Sequence, residues 1–185
     1  QAGKNAAVPM EWPSNFPEHD LEGQARIVRQ TVETAARERR GMALVLAPLA
    51  GTGYAPAIRA LMRAGVRIVT FDEPADVHGA DRSFVSYIGT NNRQAGVAAA
   101  EYLIRLVPLA TRATAPRVAV LRLNPLSNST TLREDAFIDT VEKNGWTVEG
   151  QFRYAIGLGV ESAYRESQAL LDSLEERGIR VDAIF

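Results

Sequence analysis

The feature that most constrains the fold is the alternation of short apolar segments with longer amphipathic segments along the whole chain. The apolar segments include Met42–Ala47 and Val66–Phe71, and Met42–Ala47 is a continuous apolar run without polar alternation, which is typical of strands in parallel sheets. The longer segments place apolar residues three and four positions apart, as in helices that bury one face. This order predicts βαβ units with right-handed crossovers. We therefore predict an α/β fold with parallel sheets and helices on both faces, so that Met42–Ala47 is covered on both sides.

The individual elements follow from the same patterns and from the turn residues between them. The predicted strands lie at or near Asn5–Met10, Met42–Ala47, Val66–Phe71, Phe84–Ile88, Arg117–Leu123, Thr147–Arg153 and Val181–Phe185. The predicted helices lie near Asp20–Arg39, Ala55–Ala64, Arg93–Leu106, Leu132–Lys143 and Glu161–Arg177.

The alternation is interrupted once, because only a loop separates the strand Phe84–Ile88 from the preceding strand Val66–Phe71. It restarts at Asn91. We therefore predict two lobes with a boundary at Thr90/Asn91, an N-terminal lobe over residues 1–90 and a C-terminal lobe over residues 91–185.

Composition limits the function. The 185 residues include 21 Lys+Arg and 22 Asp+Glu, for a net charge of −1, which does not favour nonspecific binding to nucleic acid or to an anionic membrane. There is no cysteine, which excludes disulfides, thiolate metal sites and cysteine nucleophiles in this sequence. The longest apolar run, Met42–Ala50, is far shorter than the roughly 20 residues of a membrane-spanning helix.

Known catalytic and cofactor motifs are not matched. The segment Gly51-Thr52-Gly53 follows a strand as in a dinucleotide-binding turn, but Pro56 stands where the third glycine belongs. The two histidines, His19 and His78, lie far apart in polar segments without metal-ligand spacing. We therefore predict no catalytic residue, no metal site and no cofactor.

Polar residues at predicted strand ends are the candidates for ligand binding, because ligands of α/β sheets bind at the carboxyl ends of strands. Asp72 and Glu73 directly follow Val66–Phe71, and a carboxylate there either accepts hydroxyls of a polyol or caps its loop. Trp12 follows the first predicted strand and either stacks on a sugar face or packs in the core.

A second polar group lies between a predicted strand and helix. The segment Ser127–Thr131 either binds an anion at the helix start or supplies an ordinary N-cap. Arg133 falls in the first turn of the predicted helix, where a cation opposes the helix dipole. An arginine that points back into a cleft and offers its planar set of hydrogen-bond donors to a ligand would explain a cation at this position.

Several segments resemble the ribose-type periplasmic sugar-binding proteins over nearly the whole length. The most specific is the run from Tyr87 to Leu103, which resembles the family's hinge strand and the helix that follows it. The run from Pro56 to Asp72 resembles its helix, strand and ligand aspartate. The run from Asn128 to Phe137 resembles the helix start whose arginine binds sugar, with Ala136 in place of the usual glycine.

The resemblance implies a type I periplasmic binding protein that closes two lobes on a sugar. It identifies Asp72 and Arg133 as ligand groups and places Ser129 and Leu158 in loops that usually contact the ligand. Glu73 stands where several family members have arginine, which implies a sugar other than ribose. The family's first strand and helix, and its segments after Phe185, have no counterpart in these residues, so both lobes are expected to be incomplete.

The implied function is an extracytoplasmic solute-binding protein that delivers a sugar or related polyol to the permease of a membrane transporter. The implied partners are therefore the sugar and the permease, without nucleic acid or membrane insertion, and the implied location is the periplasm. The alternative is the effector-binding core of a lactose-repressor-type regulator or a sensor ectodomain. Such a regulator needs a helix-turn-helix segment, which these residues do not contain.

Overall fold

The computed structural model describes residues 20–38, 41–75, 85–107, 114–123, 125–153 and 160–185. Its helices are α1 (Leu21–Glu38), α2 (Ala55–Arg63), α3 (Asn92–Leu106), α4 (Asn128–Lys143) and α5 (Val160–Glu176). Its strands are β1 (Ala43–Leu46), β2 (Arg67–Phe71), β3 (Val85–Ile88), β4 (Arg117–Arg122), β5 (Thr147–Arg153) and β6 (Ala183–Ile184). Among the described helices, none is both long and apolar enough to cross a lipid bilayer. The predicted strand at Asn5–Met10 and both histidines lie outside the described residues.

The strands form two separate parallel sheets, in the orders β1-β2-β3 and β5-β4-β6. This confirms the predicted α/β class with parallel pairing. We call the first sheet with α1 and α2 the N-terminal unit, and the second sheet with α3, α4 and α5 the C-terminal unit. The strands of the first sheet precede Thr90 and those of the second follow it. The division into lobes at Thr90/Asn91 stays a prediction.

The described helices of the N-terminal unit cover one face of its sheet. On that face Leu46 and Ile68 pack with Val28 of α1 and with Ile58 and Leu61 of α2. The other face, which alternates with the first along each strand, carries the partly or fully exposed residues Ala43, Val45, Arg67, Val69, Phe71, Ser86 and Ile88. Val45 is 63% exposed. The prediction that Met42–Ala47 is covered on both faces is therefore wrong for the described part of the chain, because an apolar run does not specify which elements pack against it.

The sheet of the C-terminal unit is covered on both faces. Val118 and Val120 of β4 pack with Phe137 and Val141 of α4 on one side. Ala119, which points to the other side, packs with Leu170 and Leu174 of α5. The central strand β4 is buried between these two layers.

Helix α4 starts four residues earlier than the sequence predicts, at Asn128 and not at Leu132. Ser127 is the N-cap, and its Oγ accepts a hydrogen bond of 3.2 Å from the Thr130 amide. The N-cap interpretation of the Ser/Thr segment is therefore confirmed. Arg133 consequently lies in the second turn, so the predicted conflict with the first-turn dipole does not arise.

Helices α3 and α4 approach each other closely at Gly96. A Cβ at this position would lie 2.1 Å from the Arg133 carbonyl oxygen and 3.0 Å from the Phe137 amide nitrogen. Any larger residue would therefore have to move backbone. This contact fixes the position of α4, whose first turn contributes to the candidate site.

Candidate functional site

Three loops meet at the carboxyl ends of strands from the two units, and we call this region the junction. They are the loop after β1 around Gly51, the turn at Asp72–Glu73 after β2, and the segment Leu126–Ser129 that leads into α4. The Gly51 amide donates a hydrogen bond of 3.1 Å to the Leu126 carbonyl. A Cβ at Gly51 would lie 1.9 Å from the Asn128 Nδ2, so a larger residue there would displace the Asn128 side chain.

The end of β2 makes a tight turn centred on Asp72. The Glu73 amide donates to the Phe71 carbonyl at 2.7 Å, and Asp72 has a φ of 64°. Aspartate tolerates this left-handed region better than most residues. As a result the Asp72 side chain is exposed, whereas the next side chain, Glu73, is buried.

The backbone of this turn is held from both units. The Asp72 carbonyl accepts a hydrogen bond of 2.7 Å from the Ser129 Oγ in α4 and one of 3.0 Å from the Tyr87 hydroxyl in β3. Burial raises the pKa of Tyr87, and the negative charges of Glu73 and Asp72 raise it further. The phenol is therefore protonated at neutral pH and available as a donor.

The Glu73 carboxylate lies against the first turn of α4. One oxygen accepts from the Asn128 amide at 2.7 Å, and the other accepts from the Ser129 amide at 3.1 Å and from the Ser127 Oγ at 3.0 Å. Helix N-terminal amides lack intrahelical acceptors and favour negative charge. Glu73 thus satisfies donors that α4 itself cannot satisfy.

Arg133 lies one helical turn after Ser129, and residues four apart share a helix face. Its Nη2 donates to the Asn92 Oδ1 at 2.6 Å. Asn92 is buried at the start of α3, and its Nδ2 donates to the Thr90 carbonyl at 3.3 Å. The guanidinium is thereby bound to the start of α3 while the residue stays exposed.

Gln24 positions the loop after β1 and was not predicted from the sequence. Its Nε2 donates to the Ala47 carbonyl at 2.8 Å, and its Oε1 accepts from the Leu49 amide at 2.9 Å and from the Tyr54 hydroxyl. Burial raises the pKa of Tyr54, and a hydrogen bond with the Leu49 backbone partly opposes that shift. The sequence does contain a signal for this role: Gln24 is a polar residue within the apolar stripe of α1, four residues before Val28, and a buried polar side chain needs hydrogen-bond partners.

The end of β4 is fixed by a buried ion pair that the sequence analysis also missed. Arg122 Nε donates to Glu134 Oε2 at 2.9 Å, and the other Glu134 oxygen accepts from the Leu123 amide at 2.8 Å. Asp135 also binds the guanidinium. Burial lowers the pKa of Arg122, but its hydrogen bonds with Glu134 and Asp135 outweigh burial and leave the pKa raised.

The structure therefore brings Asp72, Glu73 and Ser129 together and places Arg133 one turn away on α4. Trp12 and Leu158 lie outside the described residues. That these six residues contact a ligand stays a prediction. No group of metal-ligating side chains occurs within the described ranges.

Comparisons with known proteins give a consistent picture of the fold. The family model for the periplasmic binding protein domain matches residues 6–185. A search of curated protein sequences found no significant match.

Solved structures with this fold include three proteins of transport systems. An ABC transporter solute-binding protein from Agrobacterium vitis with bound D-fucose is 21% identical, with a TM-score of 0.77 over 99% of this chain. A periplasmic component of an ABC-type sugar transport system from Hahella chejuensis is 22% identical, with a TM-score of 0.71 over 90% of this chain. A carbohydrate transporter solute-binding protein from Agrobacterium radiobacter in complex with D-arabinose is 23% identical, with a TM-score of 0.67 over 84% of this chain. The chain spans only 58%, 55% and 50% of the lengths of these three proteins.

Proposed function

Because the chain belongs to the periplasmic binding protein family, we propose that the protein captures a sugar or related polyol between two lobes and delivers it to a membrane transporter outside the cytoplasm. The structural neighbours named above, which include proteins solved with D-fucose and D-arabinose, support a sugar as the ligand. The proposal assigns no catalytic step to the protein.

The observation that carries the proposal is the arrangement of Asp72 and Arg133 at the junction. The Asp72 side chain is exposed at the end of β2, while its backbone is fixed to Ser129 of α4. Arg133 extends from the same face of α4. A carboxylate accepts hydrogen bonds from neighbouring hydroxyls, and a guanidinium donates several in a planar fork. Together these groups are suited to a neutral polyol.

Rigid support makes this pair more suitable for binding than two free surface charges. Asp72 is held by hydrogen bonds to its carbonyl from Tyr87 and Ser129, and Arg133 by Asn92. Fixed donors and acceptors lose less conformational entropy when a ligand binds. Trp12 and Leu158 complete the proposed ligand contacts, in accordance with the sequence prediction.

The test is isothermal titration calorimetry on the full-length protein with D-fucose, D-arabinose and D-ribose. For a sugar that binds, Asp72→Asn and Arg133→Met should each weaken affinity by about 10- to 100-fold, because each removes charge-assisted hydrogen bonds of roughly 1.5–3 kcal/mol. The control is Glu142→Gln, an exposed carboxylate in the last turn of α4. Unchanged affinity in both site variants, or the same loss in the control, would refute the assigned site.

A further inference from the structure

The buried carboxylate of Glu73 stands out among the charged groups at the junction. Its residue is only 4% exposed, and a buried charge is costly unless hydrogen bonds compensate it. In the part of the chain that the structure describes, Glu73 forms no ion pair with a cation. Three hydrogen-bond donors and the N-terminus of α4 stabilise it instead.

All three donors belong to the other unit. Glu73 ends the strand β2 of the N-terminal unit, whereas Ser127, Asn128 and Ser129 begin α4 of the C-terminal unit. The residues are more than 50 positions apart in the chain. The contact therefore exists only while the two units lie against each other.

The energetics of this contact suit a reversible interaction. If the units separate, the carboxylate and the helix amides lose each other but recover hydrogen bonds to water. The net free energy is consequently small compared with that of an apolar interface. The other contacts at the junction, Gly51 to Leu126 and Ser129 to Asp72, are also polar hydrogen bonds. No buried apolar cluster joins the two described units.

We propose that Glu73 is an intramolecular latch: its carboxylate binds the N-terminus of α4 and biases the two units toward the arrangement in which they lie against each other. In this role Glu73 is a positioning residue whose two oxygens bind donors of the other unit, and the proposal takes the place of the ligand contact predicted for it. The inference rests on the proposed function, in which the sugar binds between two units that lie against each other. The latch sets the fraction of molecules in that arrangement, and this fraction scales the apparent affinity for the sugar.

The latch can be tested without any ligand, and these 185 residues contain no cysteine that would compete for a label. Arg63→Cys at the end of α2 and Lys143→Cys at the end of α4 introduce one exposed labelling position in each unit. Double electron–electron resonance between spin labels at these positions, in the full-length protein without sugar, gives the distance distribution between the units.

Glu73→Gln is the decisive variant, because it keeps the side-chain size but replaces a carboxylate oxygen by an NH2 group that faces helix amides. We expect the ratio of short to long distances to fall by about tenfold or more, which corresponds to the loss of one charge-assisted hydrogen bond. The matched control is Glu161→Gln, an exposed glutamate in the first turn of α5. It removes the same charge from a helix N-terminus within one unit and should leave the distribution unchanged.

Coincident distributions for the wild type and Glu73→Gln would overturn the latch, as would an equal change in Glu161→Gln. Circular dichroism and the melting temperature establish that each variant is folded. Glu73→Asp provides a second folded comparison, because it keeps the charge but shortens the reach, and it should fall between the wild type and Glu73→Gln. Failure of every sugar to bind would contradict the proposed function, whereas the distance measurement would still decide the latch.

Discussion

The two sheets are built from similar apolar strands but are covered differently. The first sheet packs α1 and α2 against one face and leaves Val45 and Ile88 on the other face 63% and 66% exposed. In the second sheet, Val118, Ala119 and Val120 of β4 are all fully buried, because helices cover both faces. The comparison teaches that strand hydrophobicity indicates membership of a sheet, whereas the surrounding helices decide which faces are buried.

The same difference governs where charged groups lie. Arg122 of β4 is buried with Glu134, whereas Arg67 of β2 lies on the uncovered face and is exposed. A buried arginine requires a partner that replaces its hydration. Substitutions in the doubly covered and in the singly covered sheet should therefore differ in their cost to stability.

The largest effect is expected for Glu134→Ala. It removes the buried carboxylate that pairs with the buried Arg122, whereas its ion-pair partner Asp135 is half-exposed, and it removes the acceptor of the Leu123 amide. Breaking a buried pair from one side costs about 3–5 kcal/mol. Chemical denaturation measures this loss. The control is Asp139→Ala on the same helix as Glu134, which removes an exposed ion pair of 3.6 Å with Arg93 of α3 and should cost under about 1 kcal/mol. If Glu134→Ala and Asp139→Ala lower the free energy of unfolding equally, the assigned burial of Glu134 is wrong.

Gly96→Ala should destabilise the C-terminal unit by about 3 kcal/mol, because its Cβ would meet the backbone of α4 and no side chain can move aside. Gly41→Ala is the matched control, since nothing lies within 4 Å of a Cβ there. Thermal unfolding followed by circular dichroism compares the two. If both substitutions leave the melting temperature unchanged, the close approach of α3 and α4 is wrong.

One valine in each sheet allows the helix coverage of the two sheets to be compared directly. Val120→Ala should cost about 2 kcal/mol, because it removes two fully buried methyl groups and leaves a cavity. Val45→Ala on the open face should cost less than about 0.5 kcal/mol. Denaturant titration of the full-length protein gives both values. A loss at Val45 as large as that at Val120 would show that another part of the full protein covers this face.

Controls aside, the smallest effect is expected at Tyr87. Tyr87→Phe removes the hydrogen bond to the Asp72 carbonyl and should cost about 1 kcal/mol near neutral pH. Since folding raises the pKa of Tyr87 above its ordinary value of 10.0, its contribution is complete below pH 10.0 and declines as the pH rises through the folded pKa. Stability measured from pH 8 to 11 should therefore fall more steeply in the wild type than in Tyr87→Phe. Parallel curves would contradict the raised pKa.

Most of the secondary structure could be predicted from the sequence because its signals are local. The amphipathic helix α1 and the strand β2 are each specified by residues a few positions apart. The cap at the start of α1 is also local, because the Asp20 Oδ1 accepts from the Gly23 amide at 2.7 Å. The start of α4 was misplaced, because Asn128–Thr131 have weak helix propensity. Ser127 and Glu73 together stabilise that first turn, and Glu73 is remote in sequence.

The candidate site could likewise be predicted only as far as its signals are local in the sequence. Its position at the strand ends followed from the α/β pattern, and the structure brings Asp72, Glu73 and Ser129 together there. The support by Gln24 and Asn92 was missed, since a polar residue in a helix reveals its partners only after the loops around it are placed. Glu73 was predicted as a residue of the binding site, but the identity of its hydrogen-bond donors could not be read from its neighbours in the chain.

Periodicity and turn chemistry act over a few residues, so the order of helices and strands, their parallel pairing and the strand ends that carry polar groups could be predicted from the chain alone. Packing determined that the described helices cover one face of the first sheet, that Gly96 lies against the backbone of α4, and that Glu73 binds the N-terminus of α4. Each of these depends on segments tens of residues apart, whose packing is selected by the burial and hydrogen bonding of the whole chain.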